Sequence, residues 1–400
     1  LLHTDFARLP EYLRENEIML DGLLVVELAT YVAAPTCGKL LADLGAQVIK
    51  VESPPYGDAW RYGYEVKANR VNARFEVCNS GKKSVLLDLK TADGMAAMQK
   101  LIAKADIFIT NTRGRSLRRL GLDHETLRAR YPRLIYAWLT AYGPEGPDAD
   151  APGFDAVAFW AKAGYTADMS VKTDNSYPAL TPLGAGDTVT GTMLYATILT
   201  ALLRRSVTGE GDFVTTSLYN AGIWSACGMI AVARNMPGIA PVRREECSPE
   251  SSPFLCADGE WVMCCILEYD RYAPALHRAL GYPDLLHDPR FDTPEKRMLH
   301  NGEIMDLFAA SFAAKPADEW VRILSGLDIV CTRLNHFSEV ADNEQAWANG
   351  YLQRVNYPNG EEYIYPCPPF RMESQTPALL TAAPKLGEHT REILELLDKA

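Results

Sequence analysis

Asp187 is the residue whose surroundings most clearly predict chemistry. It lies in the segment PLGAGDTVTG (182–191), where three glycines flank one carboxylate. Glycines allow an open turn in which a bulky substrate can approach the backbone. A carboxylate held there can attack a thioester or another acyl group and form an anhydride with the protein. Alternatively, Asp187 only caps a helix predicted over 192–204, by accepting bonds from its free backbone N–H groups.

Basic side chains form a second group with potential chemistry. Arg113, Arg115, Arg118 and Arg119 follow a strand predicted at 106–111. On an acidic protein, such a group suits phosphates, because guanidinium groups bind phosphate oxygens through paired, charge-assisted hydrogen bonds. The alternative is a solvated helix face, and the residues alone leave both interpretations open.

Composition limits the classes of protein and of partner. The chain has 400 residues, 48% of them hydrophobic and 23% charged, which predicts a folded protein with two domains or with one large domain that carries an insertion. Its net charge of −11 gives no electrostatic support for binding nucleic acid or an anionic membrane. No apolar run approaches the roughly 18–20 residues of a membrane span, and the charged N-terminal segment is unlike a signal peptide. We therefore expect a cytoplasmic protein without membrane association.

The nine cysteines do not predict a metal centre. Their spacing is irregular, with no C-x-x-C pair and no histidine at a zinc-binding distance in the sequence. We expect reduced thiols and no metal.

The first half of the chain alternates short β-branched runs with helical patterns. Such alternation predicts an α/β fold with a Rossmann-like, open and mostly parallel sheet. Ligands of these sheets bind beyond the carboxyl ends of the strands. The first crossover lacks glycine, so the G-x-G-x-x-G loop of a nicotinamide dehydrogenase is missing. The predicted strands are 23–28, 47–52, 84–88, 106–111 and 134–140, and the predicted helices are 35–44, 91–104, 116–120 and 124–130.

The pattern changes after Trp224, which predicts a division into domains. We expect a large α/β domain over 1–224 and an inserted, smaller α+β domain over 225–335. The remaining segment, 336–400, has too little apolar sequence for a core of its own. It should return to the large domain.

Several long segments resemble one known family in the correct order. They include LLVVELATYVAAPTCGKLLADLGAQVIKVESPPYGDAWR, NSGKKSVLLDLKTADG, LGAGD and PKLGEHTREIL. Over nearly its whole length the chain resembles the class III coenzyme A transferases. The blocks AYGPEGPDADAPGFD and NEQAWANGYL are most similar to the 2-hydroxyacyl-CoA transferases of amino-acid-fermenting anaerobes.

The resemblance implies a function and a mechanism. Asp187 matches the family's nucleophilic aspartate, which forms first a mixed anhydride and then an aspartyl-CoA thioester. The reaction would need coenzyme A but no metal, and its substrates would be an acyl-CoA and a small carboxylic acid. An aryl or branched 2-hydroxy acid is the expected acid, and an intertwined homodimer is the expected assembly.

The resemblance also implies which residues contact coenzyme A. A loop after the first strand would contact the pantetheine and thiol end, and other positions would contact the adenine, the adenosine and its phosphates. Two positions depart from the pattern of formyl-CoA transferase, where glutamine stands in place of Val32 and arginine in place of Ser53. An apolar Val32 suits a bulkier acyl group than formate. The implied contacts are Thr30, Tyr31, Val32 and Ala33 for the thiol end, Leu87 and Lys90 for adenine, and Asn111, Arg119 and Leu120 for adenosine and phosphates.

Two alternatives remain. The same family contains 2-methylacyl-CoA racemases, which use the histidine of a G-H-D motif as an acid–base group. Here the motif reads Gly153-Phe154-Asp155, and phenylalanine cannot carry a proton. The other alternative is a noncatalytic acyl-CoA-binding protein that uses the same basic edge.

Overall fold

A computed structural model describes residues 19–62, 70–171, 177–236, 243–373 and 381–399. The charged N-terminal segment interpreted above lies outside the described residues. The strands are β1 (Leu24–Leu28), β2 (Gln47–Glu52), β3 (Lys83–Leu86), β4 (Ile107–Thr110), β5 (Ile135–Thr140), β6 (Phe213–Ser217), β7 (Pro253–Leu255), β8 (Trp261–Cys264), β9 (Cys331–Arg333), β10 (Leu352–Asn356) and β11 (Glu362–Pro366).

Helices account for much of the remaining chain, and one π-helical segment, Ala156–Ala161, lies between β5 and β6. The α-helices are α1 (Ala33–Asp43), α2 (Ala73–Asn79), α3 (Ala92–Lys104), α4 (Gly114–Leu120), α5 (His124–Arg130), α6 (Tyr165–Asp168), α7 (Ala185–Thr208), α8 (Leu218–Ser225), α9 (Cys227–Ala233), α10 (Tyr269–Leu280), α11 (Pro294–Leu299), α12 (Asn301–Phe312), α13 (Ala317–Ser325), α14 (Phe337–Val340), α15 (Glu344–Ala348) and α16 (Thr390–Lys399).

The chain divides into two compact units. One contains the described residues within 1–164, 181–227 and 344–400, and the other contains those within 165–180 and 228–343. In the described part of the first unit, a six-stranded sheet has the order β3-β2-β1-β4-β5-β6 with every pair parallel. The predicted α/β class with an open parallel sheet is confirmed. The strand order reverses between β1 and β4, which is where such sheets bind ligands.

The core of the first unit consists of the apolar side chains of the sheet and of the helices packed on it. Val26, Ile49 and Phe108 are fully buried there. Ile393 and Leu397, from the C-terminal helix α16, belong to the same cluster. Because both are one helical turn apart on one face, α16 covers apolar surface that would otherwise face water.

The second unit has its own core and an α+β arrangement. Its three-stranded antiparallel sheet has the order β7-β8-β9. Phe254 on β7 stacks on Phe312 of α12, and Phe312 lies 4.9 Å from Trp320 of α13. In the described segments of either unit, no helix is long and apolar enough to cross a membrane.

Candidate active site

A cavity of about 580 Å³ opens in the first unit at the carboxyl ends of β1, β4 and β5. Segments that follow these strands form one part of its wall, and the start of α7 forms another. Its lining includes Thr30, Tyr31, Val32, Ala33, Trp60, Asn111, Arg113, Trp138, Phe154, Asp155, Leu183, Gly184 and Asp187.

Asp187 lies in the first turn of α7, at the wall of this cavity. The helix begins at Ala185, so the predicted start at 192 was wrong by seven residues. Gly184 is the N-cap, with φ of 79°, and no side chain caps the helix. Asp187 is therefore not the N-cap, and its carboxylate is available to the cavity.

Gly186 has no room for a side chain. A Cβ atom there would lie 2.5 Å from Cγ of Phe159 and 2.7 Å from Oδ1 of Asp155. The glycine-rich sequence thus allows the first turn of α7 to approach the segment around Asp155 closely. Tertiary packing outweighs the low helix propensity of glycine here, which explains the misplaced helix start.

The pKa of the Asp187 carboxyl is raised to about 7. Burial is the larger cause, since it disfavours the charged form, and the negative charge of Asp155 adds to it. A carboxylate with a raised pKa is a stronger nucleophile than an ordinary aspartate, yet half of it is still ionised near neutral pH.

Asp155 lies beneath the turn that carries Asp187 and is only 5% exposed. Burial raises the pKa of its carboxyl, while the amide groups of Asp187, Gly184 and Gly186 act in the opposite direction. The side chain of Trp160 acts in the same direction as these amides. Within the described residues, none of these contacts meets the full distance and angle requirements of a hydrogen bond to either carboxylate oxygen. Asp155 is therefore a buried acceptor directed at the start of α7.

Asn111 holds the loop that follows β1. Its Oδ1 accepts a hydrogen bond from the Thr30 N–H at 3.1 Å, and its Nδ2 donates to the Thr30 carbonyl at 2.8 Å. This reciprocal pair joins the ends of the adjacent strands β1 and β4. The structure thus brings the predicted residues 30–33 and Asn111 together with Asp187 in one cavity.

Tyr31 adopts a left-handed backbone conformation, with φ of 65°. That region is unfavourable for a residue with a side chain. Its N–H donates to Oδ1 of Asp58 at 3.0 Å, and Asp58 is fully buried. The strained loop is held in place from below by this carboxylate.

Two lysines and two carboxylates form a buried ionic network under the loop. Lys50 on β2 lies 2.9 Å from Asp58 and 3.1 Å from Glu27 of β1. Lys50 also donates to the carbonyl of Ala29 at 2.8 Å, and Lys82 pairs with Glu27 at 2.7 Å. Since each charge has an opposite partner, the network can remain ionised without water.

Aromatic side chains that the sequence did not single out as a group line the mouth of the cavity. The ring of Phe154 meets that of Tyr31 edge-on at 5.1 Å, and Tyr31 lies 6.0 Å from Trp60. Trp138 is held by a hydrogen bond from its indole N–H to the carbonyl of Thr112 at 2.9 Å. This aromatic wall, Tyr31, Trp60, Trp138 and Phe154, comes from four separate segments, so no local motif could reveal it.

The other predicted contacts lie elsewhere in the first unit. Leu87 lines a second hollow of about 480 Å³, formed with α3 and α16. Lys90, Arg119 and Leu120 line neither cavity. Their predicted contacts with coenzyme A stay predictions.

Comparison with known proteins identifies the family. The profile of CoA-transferase family III matches residues 20–390. The chain therefore belongs to CoA-transferase family III, and this membership supports CoA-transferase activity. The α/β fold and the carboxylate at the sheet edge agree with the resemblance described above.

Two relatives are similar over almost the whole chain. A (R)-2-hydroxy-4-methylpentanoate CoA-transferase of Clostridioides difficile is 33% identical over 384 residues, covering 95% of this chain and 96% of the relative. A cinnamoyl-CoA:phenyllactate CoA-transferase of Clostridium sporogenes is 34% identical over 397 residues, covering 96% and 94%. The resemblance to 2-hydroxyacyl-CoA transferases is confirmed, and neither alternative function is favoured.

Solved structures show the same fold. Rv3272 from M. tuberculosis, in an orthorhombic crystal form, superposes with a TM-score of 0.82 at 30% identity, covering 94% of this chain and 98% of that chain. A CAIB/BAIF family protein from Brucella suis gives a TM-score of 0.80 at 30% identity, covering 94% and 99%.

Proposed function

We propose that this protein transfers coenzyme A between an acyl-CoA and a 2-hydroxy acid, with Asp187 as the covalent nucleophile. The observation that carries the proposal is the place of Asp187, a carboxylate of raised pKa at the wall of an apolar-lined cavity at the sheet's switch point. The similarity to two transferases of 2-hydroxy acids supports the substrate class.

In the first half of the reaction, a carboxylate oxygen of Asp187 attacks the thioester carbonyl carbon. The carbon–sulfur bond breaks, and the electron pair leaves with sulfur as the CoA thiolate. The thiolate then attacks the Asp187 carbonyl of the mixed anhydride and releases the donor acid as its carboxylate. The result is an aspartyl-CoA thioester.

The second half reverses these steps with the new acid. Its carboxylate attacks the aspartyl thioester, and the returning thiolate attacks the acyl carbonyl of the second anhydride. A new acyl-CoA forms, and the Asp187 carboxylate is regenerated. One thioester replaces another of similar energy, so the exchange needs no ATP.

The aromatic wall favours an aryl or branched acyl group. Its rings present apolar faces and edges that can pack against a phenyl or isobutyl group. Val32 is also apolar and lies 3.7 Å from the position that a Cβ on Gly184 would occupy, next to the turn that carries Asp187. We place the acyl group against this wall, with the thioester directed at Asp187.

The coenzyme A contacts are part of the proposal. Residues 30–33 share the cavity with Asp187 and suit the thiol end. Asn111 lines the same cavity and is proposed, on the resemblance, as a contact with the adenosine and its phosphates. Leu87, in the second hollow, suits the adenine. Lys90, Arg119 and Leu120 are proposed as further contacts with the nucleotide on the resemblance alone.

The decisive experiment measures exchange and trapping together. Purified protein is mixed with cinnamoyl-CoA or isocaproyl-CoA and a series of 2-hydroxy acids, and new acyl-CoA species are followed by mass spectrometry. Hydroxylamine added during turnover should convert Asp187 into a hydroxamate. Exchange at the wild-type rate in Asp187→Asn would refute the nucleophile, and unchanged CoA esters with bound acyl-CoA would indicate a binder instead.

We also propose a homodimer, as the family resemblance implies. Leu203 and Val207 on α7, and Trp224 on α8, are large apolar side chains that are more than half exposed in the single chain. Contact with a second copy would remove such surface from water. Sedimentation equilibrium should give twice the chain mass; a single-chain mass at micromolar concentration would contradict the proposal.

A further inference from the structure

Asp155 is the buried ionisable group closest in role to Asp187, and the proposed reaction does not use it directly. It follows Phe154 and precedes the π-helical segment Ala156–Ala161, on an element separate from α7. Its carboxylate oxygens are shielded from solvent and make no hydrogen bond within the part of the chain that the structure describes. A buried acceptor of this kind is costly and calls for a function.

The surroundings of Asp155 point to the turn that carries Asp187. The amides of Gly184, Gly186 and Asp187 face its carboxylate and favour the charged form. A side chain on Gly186 would collide with Oδ1 of Asp155, so the two segments are in direct contact. The start of α7 contributes the positive end of its dipole to the same place.

The two carboxylates share one helix terminus but differ in environment. Burial raises the pKa of both carboxyls; the amides act against this at Asp155, whereas the charge of Asp155 raises the pKa of Asp187 further. The ionised form of Asp155 therefore opposes ionisation of Asp187. Asp187 also acts on the thiol of Cys78 on α2. The pKa of this thiol is raised chiefly by burial and, to a smaller extent, by the charge of Asp187.

We propose that Asp155 is a positioning residue that fixes the Gly184–Asp187 turn and drives acylation of Asp187 by charge repulsion. This inference rests on the proposed function. When Asp187 attacks the thioester, its negative charge moves to the CoA thiolate as the carbon–sulfur bond breaks. Repulsion between the two carboxylates ends at that moment, so Asp155 favours the anhydride and the aspartyl thioester over the free carboxylate.

The test begins with the titration of Asp187 itself. Protein labelled with ¹³C at the aspartate side-chain carboxyls is followed by NMR, and the Asp187 signal is assigned by its loss in Asp187→Asn. In the wild type this signal should titrate near neutral pH. In Asp155→Asn, which keeps the size and the acceptor oxygen, its midpoint should fall by about one pH unit. In Asp150→Asn, at an exposed position in the same segment, it should not move.

A second readout measures the covalent step. With cinnamoyl-CoA and hydroxylamine, the fraction of enzyme trapped at Asp187 per turnover should fall several-fold in Asp155→Asn and stay unchanged in Asp150→Asn. If the wild-type Asp187 signal titrates at ordinary aspartate pH, or if Asp155→Asn leaves it in place, the proposal is overturned. If Asp155→Asn does not fold, Asp155→Ser is titrated in its place: a lowered Asp187 midpoint supports the proposal, and an unmoved midpoint overturns it. An active Asp187→Asn would instead refute the proposed nucleophile, whatever the titration gives.

Discussion

The backbone N–H of Tyr31 donates to the carboxylate of Asp58 at 3.0 Å, although 27 positions separate the two residues in the chain. Tyr31 needs this bond because its φ of 65° is unfavourable for any residue with a side chain. Asp58 in turn is held 2.9 Å from Lys50. The shape of the cavity therefore depends on a buried ion pair beneath it.

Replacing Lys50 by methionine should strongly destabilise the protein. Both Asp58 and Glu27 would lose a partner in a site without solvent, and unpaired buried charges cost about 3–5 kcal/mol. Lys83→Met on the neighbouring strand β3 is the matched control, since its pair with Glu392 is partly exposed and is worth about 0–1 kcal/mol. Urea unfolding measures both, and equal losses would contradict a special role for the buried network.

Shortening Phe154 should change the choice of acyl group. Phe154 is 59% exposed, and its ring edge meets Tyr31 at the cavity. Phe154→Ala should lower kcat/KM for cinnamoyl-CoA by about tenfold, from the loss of an aromatic pair and of apolar contact with the substrate. Acetyl-CoA cannot reach the same contact, so its kcat/KM should change little.

The control for Phe154 is Phe337→Ala, an exposed phenylalanine of the second unit that does not line the cavity. It should leave the ratio of the two kcat/KM values unchanged. A parallel loss with cinnamoyl-CoA and acetyl-CoA in Phe154→Ala would mean that the ring supports the fold rather than selects the acyl group.

The arginines that follow β4 differ in whether they line the cavity. Arg113 lines the cavity, whereas Arg115, two residues further along α4, does not. If Arg113 binds a phosphate or the substrate carboxylate, Arg113→Ala should raise the KM for acyl-CoA about tenfold or more, the size of one charge-assisted hydrogen bond. Arg115→Ala should leave KM nearly unchanged. Equal effects, fading together as salt is added, would instead indicate a general surface field.

The sequence predicted the fold best where local pattern and tertiary structure agree. The strands β1 to β5 lie within a few residues of their predicted positions because buried parallel strands are short β-branched runs. Strand β6 (Phe213–Ser217) was missed. It is a five-residue edge strand rich in threonine and only partly buried, so its pattern is weak. The start of α7 was missed because glycine propensity argued against a helix that packing stabilises.

Some residues of the candidate site could be predicted from the sequence, and others could not. Asp187 could be singled out because three glycines surround it, and its role follows from the family resemblance. Asp58 and Lys50 could not, because the conformation that they support appears only when β1 and β2 pair. The aromatic wall also depends on tertiary structure, since four strand ends and loops contribute one ring each.

The raised pKa of Asp187 predicts two pH effects of defined sign. Only the ionised carboxylate can attack a thioester, so kcat/KM for acyl-CoA should fall about tenfold per pH unit below the free enzyme's pKa of about 7. Stability should change in the opposite sense. In the unfolded chain the Asp187 carboxyl ionises at about pH 3.9. The stabilisation of the fold by the protonated carboxyl is therefore complete below that pH and is lost as pH rises towards 7.

Asp187→Asn removes this ionisation and should therefore stabilise the protein at alkaline pH. Its advantage over the wild type should grow between about pH 4 and 7 and stay constant above pH 8, reaching about 1–3 kcal/mol for a partly buried carboxylate. Thermal unfolding across this range measures the difference, with Asp150→Asn as the exposed control. A gain that is equal at every pH would show that shape rather than charge is responsible, because a neutral amide differs from the carboxylate only where the carboxylate is ionised.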